Sequence, residues 1–215
     1  IILMILMSPY MYAFSQGDIF EGEKVFYRNE RTFAASLNTN GVSLDFRYAK
    51  RLDAFRKSLY VTELSFIKLA KEYKVQDRTQ IGNSFVYGKV NNVYTSRFGF
   101  GFQKEMFRKQ DIGSISIRYF FHGGIVLAYE KPIYYELNDE TTVKFQSHLK
   151  PENINRKAPF SEGLSETSII PGFYIKYGYT FEFSSNDKFF NALEVSASLD
   201  LFTRKVIVMD NDFNR

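Results

Sequence analysis

The sequence predicts an all-β protein, an antiparallel up-and-down transmembrane β-barrel, and three observations carry that expectation. From residue 30 onward apolar and polar residues alternate, the mark of strands whose two faces differ. The connections between the alternating runs fall into two classes, short ones and two much longer ones. The composition is unusually aromatic, with 23 Phe and 15 Tyr in 215 residues. The sequence contains no Cys, which excludes a disulfide framework, a thiolate metal site and a Cys nucleophile.

Residues 1–15 read as a signal peptide. The stretch is uncharged, its apolar run ends at Ser8-Pro9, and small residues Ala13 and Ser15 precede Gln16 as at a cleavage site. The basic start such a peptide needs is missing, so a fragment is expected. Residues 16–29 follow as a periplasmic segment and 30–215 as the barrel. No later apolar run approaches the ~20 residues of a membrane helix.

Seven strands are expected, near 31–38, 42–49, 58–68, 94–103, 114–130, 173–183 and 193–201. Most are about 9–11 residues or longer, enough to cross a bilayer as tilted strands. Within 114–130, Phe120 and Val126 are out of phase with their neighbours. Asn38-Thr39-Asn40-Gly41 predicts a tight hairpin, with Asn-Gly supplying the positive φ of a type I′ turn. Segments 51–57, 104–113 and 184–188 are the other short connections; 70–91 and 131–170 are the long ones. With the N-terminus in the periplasm, both long loops fall outside the cell. Single-chain bacterial barrels close with an even number of strands, and an open edge in lipid costs several kcal/mol per unpaired group. Eight strands are therefore expected, the last one missing from this fragment. A strand beyond Arg215 is favoured over 22–30, with 210–215 as the external loop leading into it.

The two faces of the strands have opposite chemistry. Asp45, Arg47, Glu63, Arg97, Arg118, His122, Glu130, Lys176, Glu182, Glu194 and Asp200 share the polar face and are expected to form an interior network. Phe46, Phe98, Phe100, Phe102, Ile117, Tyr119, Phe121, Ile175, Tyr177, Phe181, Val195 and Leu199 are expected to face lipid. A soluble lipocalin-like barrel would reverse the two sets. Opposite charges at mid-strand, interleaved with Gly, fit the interior of a narrow barrel better than a solvated wall. Tyr48, Tyr60, Tyr94, Tyr129 and Phe202 lie near strand ends, where aromatic girdles meet headgroups.

The stretches NSFVYGKVNNVYTSRFGFGFQKEMF (83–107), GSISIRYFFHGGIVLAYEKPIYY (113–135) and KPENINRKAPFSEGLSETSIIPGFYIKYGYTFEF (150–183) resemble the small, porin-like outer-membrane β-barrel domain proteins of Bacteroidota-type bacteria. The resemblance implies an outer-membrane barrel and carries over no catalytic or ligand residue. It also implies, by analogy, a subunit of an envelope secretion or assembly complex.

Little chemistry is legible. The two imidazoles are His122, on the polar face, and His148, which follows Ser147; neighbours on an extended chain point apart, so no Ser–His pair forms there. Residues 97–102 alternate Gly with Phe but continue a strand, unlike a phosphate-binding loop. Glu136, Asp139 and Glu140 match no cation-loop spacing. No enzyme activity, cofactor, metal or nucleic-acid partner is expected. Lys50, Arg51, Arg56, Lys57, Lys104, Arg108 and Lys109 are assigned to short turns. Lys71, Lys74, Arg78, Lys89, Lys144, Lys150, Arg156 and Lys157 are assigned to the long loops, where lipopolysaccharide phosphates are the nearest dense anions. The expected role is structural or docking, with loops 70–91 and 131–170 contacting lipopolysaccharide or a partner protein. The alternative is a narrow porin or transporter for small solutes or hydrophobic ligands, favoured by Gly99, Gly101, Gly123 and Gly124 if they thin the inner face.

Overall fold

Aromatic and β-branched residues in strict alternation favour an extended, pleated backbone. In the computed structural model, which describes residues 29–69, 72, 74–76, 84–108, 114–137, 139, 141–145, 153–183 and 191–210, every regular element is a strand. The twelve are β1 (Glu30–Asn38), β2 (Gly41–Arg51), β3 (Arg56–Ile67), β4 (Lys74–Gln76), β5 (Ser84–Val86), β6 (Asn91–Phe107), β7 (Ser116–Pro132), β8 (Tyr134–Leu137), β9 (Thr142–Lys144), β10 (Ile154–Lys157), β11 (Ser168–Glu182) and β12 (Ala192–Phe202). The expected signal peptide (1–15), 16–28 and 211–215 lie outside the described residues.

Seven strands form one antiparallel meander in the order β1-β2-β3-β6-β7-β11-β12. The sheet curls far enough that Arg47 of β2 meets Glu194 of β12, 2.6 Å apart. The edges β1 and β12 do not pair with each other; a gap of about 970 Å³ separates them, lined by 34–38 and 192–200 with Arg97 behind.

Several boundaries differ from the sequence expectation. β6 runs to Phe107, through a bulge between Glu105 and Phe107, so Lys104 belongs to a strand and the turn begins at Arg108. Lys57 pairs with Gln103 inside the β3–β6 ladder and is buried, so it is not a turn residue. β7 and β11 extend to Pro132 and Ser168, and the long loops themselves contain β4–β5 and a three-stranded sheet in the order β10-β8-β9. Pro171 is tolerated inside β11 because the Thr203 N–H donates to its carbonyl (3.1 Å), just past the end of β12. Its ring therefore faces the side where the β12 ladder has already ended. Phe120 and Val126 keep the strand's parity: both point inward and are fully buried.

The β1–β2 hairpin is also one residue out. Asn38 pairs with Gly41, so the loop is Thr39-Asn40 and Gly41 opens β2 with φ of 143°. A Cβ on Gly41 would stand 1.9 Å from the Phe66 carbonyl oxygen of β3. Gly41→Ala should therefore lower stability by about 1–3 kcal/mol, read as a shift in the denaturant midpoint of the folded protein. An unchanged midpoint would contradict this close approach.

Candidate functional site

The concave face of the sheet gathers the polar side chains, and the convex face carries the apolar ones. Leu37 is 90% and Phe33 80% exposed on the convex side, while Glu63 is 1% and His122 0% exposed within. Period-two alternation alone does this, since neighbours on a strand point to opposite faces. Asp45, Arg47, Glu63, Arg97, Arg118, His122, Glu130, Lys176, Glu182, Glu194 and Asp200 all point inward. Phe46, Phe98, Phe100, Phe102, Ile117, Tyr119, Phe121, Ile175, Tyr177, Phe181, Val195 and Leu199 all point outward.

Inside, the charges neutralise one another in three groups. At the centre, Glu63 accepts from Arg97, from Lys176 (3.1 Å) and from Ser65 (3.1 Å). Arg97 also grips Asp200 through Nη2 at 2.5 Å and Nε at 3.2 Å. In the second group Arg47 forms a two-pronged pair with Glu194 (2.6 and 2.8 Å) and lies 2.9 Å from Asp45. In the third, nearer the short turns, Glu30 pairs with Lys57 and with Arg118 (3.1 Å), which also reaches Glu182 at 2.5 Å. Buried charges are tolerated only when paired and hydrogen-bonded in this way.

Rings and aliphatic groups fill the space between these groups. The Arg47 guanidinium lies 4.8 Å over Phe120, which stacks on His122 at 5.5 Å. His122 Nδ1 is 3.2 Å from the Tyr174 hydroxyl, and Phe120 packs with Ala49, Leu59 and Val61. Gly99 does not leave a void: a Cβ there would stand 2.1 Å from the Tyr174 hydroxyl. Gly101 lies as close to Phe121 and His122, and Gly123 sits on the convex face between Phe100 and Ile175. The expected thinning of the inner face is therefore corrected: Tyr174 and His122 occupy that room.

The end of the sheet near the long loops is capped. Residues 203–210 fold back across it, with Val208 and Met209 buried against Val93, Ala128 and Ile170. Val90 and Asn91 donate backbone N–H groups to the Val208 carbonyl (3.0 and 3.2 Å), and Asp210 donates to that of Gly88 (2.9 Å). Glu130 anchors the cap from below, accepting from the Ile207 N–H (2.6 Å) and from Arg204 (3.0 Å). Phe202 packs against this cluster rather than in an outer girdle, a correction that follows from its even-numbered phase on β12.

Beyond the cap, the loops have a core of their own: Phe85, Ile133, Tyr135, Phe145 and Ile154. The Tyr135 hydroxyl lies 2.9 Å from the Val86 and Lys89 carbonyls, and burial pushes its pKa well up. Lys89 pairs with buried Glu72 at 2.7 Å. On the surface, Arg156 pairs with Glu136 (2.5 Å), and Lys144 and Tyr134 both engage Glu166. Asp139 is exposed; Glu140, His148, Lys71, Arg78, Lys109 and Lys150 lie outside the described residues. Among the described residues no cluster of His, Asp and Glu could hold a metal ion.

No protein-family model, curated protein or solved structure matches this chain.

Glu30, Lys57, Phe120 and Tyr174 belong to the interior although the sequence reading assigned them no role there. Glu30 and Lys57 keep the inward phase of their strands, so carrying the alternation one residue further would have found them. The cap carries no such period and left no signal.

Glu63→Gln leaves Arg97 and Lys176 short of a counter-charge and should destabilise by about 3–5 kcal/mol in urea unfolding, with Lys176→Met added to it restoring part of the loss. Tyr135→Phe should cost about 1–2 kcal/mol locally, and limited proteolysis should then cut the loop segments 84–90 and 133–158 faster while the seven-stranded sheet stays intact.

Proposed function

We propose that the chain is an integral outer-membrane β-barrel with a filled lumen, whose loop platform docks a partner protein. The observation that carries this reading is the inverted pattern of burial, with charged residues inside and Phe, Leu, Ile and Val outside on all seven strands. Each large apolar side chain left in water forgoes roughly 1.5–3 kcal/mol, and a bilayer recovers it. The dimensions agree. Tyr119 and Tyr129 mark the ends of the outer apolar band on β7; ten residues at about 3.3 Å, tilted by about 40°, rise roughly 25 Å, the height of a transmembrane barrel's band. Neighbouring rings continue each level, Tyr60 against Phe100 (5.3 Å) at one end and Phe66 against Tyr94 (5.2 Å) at the other.

Closure supports eight strands. β1 and β12 both run toward the capped end, because an even number of antiparallel steps separates them. One further strand, running the opposite way in the gap between them, pairs antiparallel with both edges and leaves no backbone group unpaired in lipid. This is the architecture of the small, porin-like outer-membrane barrels that the sequence resembles.

The docking role follows from what the lumen and the platform offer. The Glu63 cluster, the Phe120 layer and the 203–210 cap stand in the path of any conduit. Several cations of the platform region are already paired, Lys144 with Glu166, Arg156 with Glu136, Arg204 with Glu130 and Lys89 with Glu72. That pairing weakens them as ligands for lipopolysaccharide phosphates and supports a protein contact, for which exposed Phe160 and Leu164 supply apolar anchors. The partner fits an envelope secretion or assembly complex.

Purified from outer membranes in mild detergent, the protein should run as a heat-modifiable band and elute with a stoichiometric partner. Phe160→Asp with Leu164→Asp should release that partner without changing the band. Solubility without detergent, or an appreciable single-channel conductance in planar bilayers, would refute the reading.

A further inference from the structure

The outward face of the seven-stranded sheet carries charge of one sign only. Its outward positions hold no Asp or Glu, since Glu30, Asp45, Glu63, Glu105, Glu130, Glu182, Glu194 and Asp200 all take the inward phase. Four outward cations, Arg31, Lys50, Arg56 and Lys104, lie together at the short-turn end, on adjacent strands β1, β2, β3 and β6. The outward positions of β7, β11 and β12 at the same end are Ile117, Tyr119, Phe181 and Leu193, so the charge is gathered on one side of the wall.

The register brings Arg31, Lys50 and Arg56 to one depth and sets Lys104 beside Arg56, one step toward mid-wall. Arg31 is opposite Tyr48; Lys50 lies two residues nearer the turn and opposite Ser58; Arg56 lies two nearer again and opposite Lys104. The strand ends step in the same direction, from Glu30 on β1 to Arg51 on β2 and Phe107 on β6. In a barrel the strands tilt against the axis, so a diagonal of this kind in register is a level line in the membrane. Directly above the cations, toward mid-wall, stand Tyr48, Tyr60 and Phe100, with ring centres 6.3 and 5.3 Å apart. Leu52 and Phe55, in the adjoining turn, are exposed, and the Arg108 guanidinium lies 4.5 Å over Phe55.

The cations are free to bind. Among the described residues Arg31, Lys50 and Lys104 have no carboxylate partner, and Arg56 has only an exposed contact of 3.9 Å with Asp53. One oxygen of Asp53, Oδ1, accepts from the N–H groups of both Phe55 and Arg56 (2.8 Å each), which leaves Oδ2 for that long contact. Long basic side chains at a membrane boundary lay their stems along apolar surface and raise their heads to the phosphate level.

We propose that Arg31, Lys50, Arg56 and Lys104 form a binding site for the phosphate headgroups of anionic phospholipid on the outer wall, at its short-turn rim. The inference rests on the membrane-barrel reading and adds a ligand to it. The acyl chains of such a lipid lie against Phe100, Phe102 and Tyr60, and the headgroup meets the four cations. With the long loops outside the cell, this rim faces the periplasmic leaflet, which identifies the ligand as a phospholipid rather than lipopolysaccharide.

The test uses the folded full chain in zwitterionic detergent micelles, titrated with dioleoyl-phosphatidylglycerol or dioleoyl-phosphatidylcholine and read by native mass spectrometry. The wild-type protein should retain phosphatidylglycerol with about tenfold or greater preference. R31Q/K50Q/R56Q/K104Q should lose that preference while keeping the heat-modifiable band, and K144Q/R156Q/K157Q on the platform should keep both. Equal retention of the two lipids by the wild type, or a preference that survives the fourfold substitution, would overturn the site. So would tighter retention of lipopolysaccharide that disappears in the fourfold variant, because it would place this rim in the outer leaflet. A protein that needs no detergent at all defeats the membrane reading itself; one that inserts but holds both lipids alike defeats only the site.

Discussion

Arg97 holds Glu63 of β3 on one side and Asp200 of β12 on the other, while Lys176 of β11 closes on the same Glu63. Glu63 and Arg97 are direct neighbours in the β3–β6 ladder, but the contacts of Arg97 with Asp200 and of Lys176 with Glu63 join strands that share no ladder, and they are possible because the sheet curls. A guanidinium inside a space of this size has no bulk water to fall back on, so its geometry is dictated by the carboxylates it can reach. The rest of the interior obeys the same rule. Arg47 takes Asp45 and Glu194, and Arg118 takes Glu30 and Glu182. Remove the curl and the contacts across the concave face are lost, Arg97 with Asp200, Lys176 with Glu63, Arg47 with Glu194 and Arg118 with Glu30, while Arg97 keeps Glu63, Arg47 keeps Asp45 and Arg118 keeps Glu182.

The strands were legible in the sequence because two environments of opposite polarity imprint a period of two on every element that separates them. The charged residues of the interior were legible for the same reason, down to His122 on β7 and Lys176 on β11. Legibility ended where the period ended. The Thr39-Asn40 turn differs by one residue from the expected pair because Gly41, which does keep a positive φ of 143°, opens β2 in close approach to Phe66 instead of occupying a central turn position. Phe120 read as an exception because the lumen is not uniformly polar: an aromatic ring between Arg47 and His122 fills volume that hydrated groups could not. The core around Tyr135 falls within the two long connections and is not legible, since its five buried residues are scattered between 85 and 154 and form no continuous pattern.

Two ends with different tasks emerge from this arrangement. At one end the chain invests residues in a second small core and a cap, and several of its surface charges are paired with each other. At the other end the turns are short, and the outward cations have no acidic neighbours on the wall. Net charge of +4 for the sequence conceals that division. A sum over the sequence reports neither the near-cancellation within the sheet nor the single-sign belt outside it.

The meander order of the sheet has a kinetic consequence. Each of its six ladders joins strands that follow one another along the chain, apart from the small sheets that the loops insert. Hairpins of this kind need little chain entropy to form, so the sheet can grow by adding one neighbour at a time. The pair between Arg47 and Glu194 is different, with 147 positions between its partners. Such a contact gains nothing until nearly the whole sheet exists, which makes it a latch that sets late. Slow assembly and resistance to opening would then be governed by the same few ions, long after the strands themselves have found their registers.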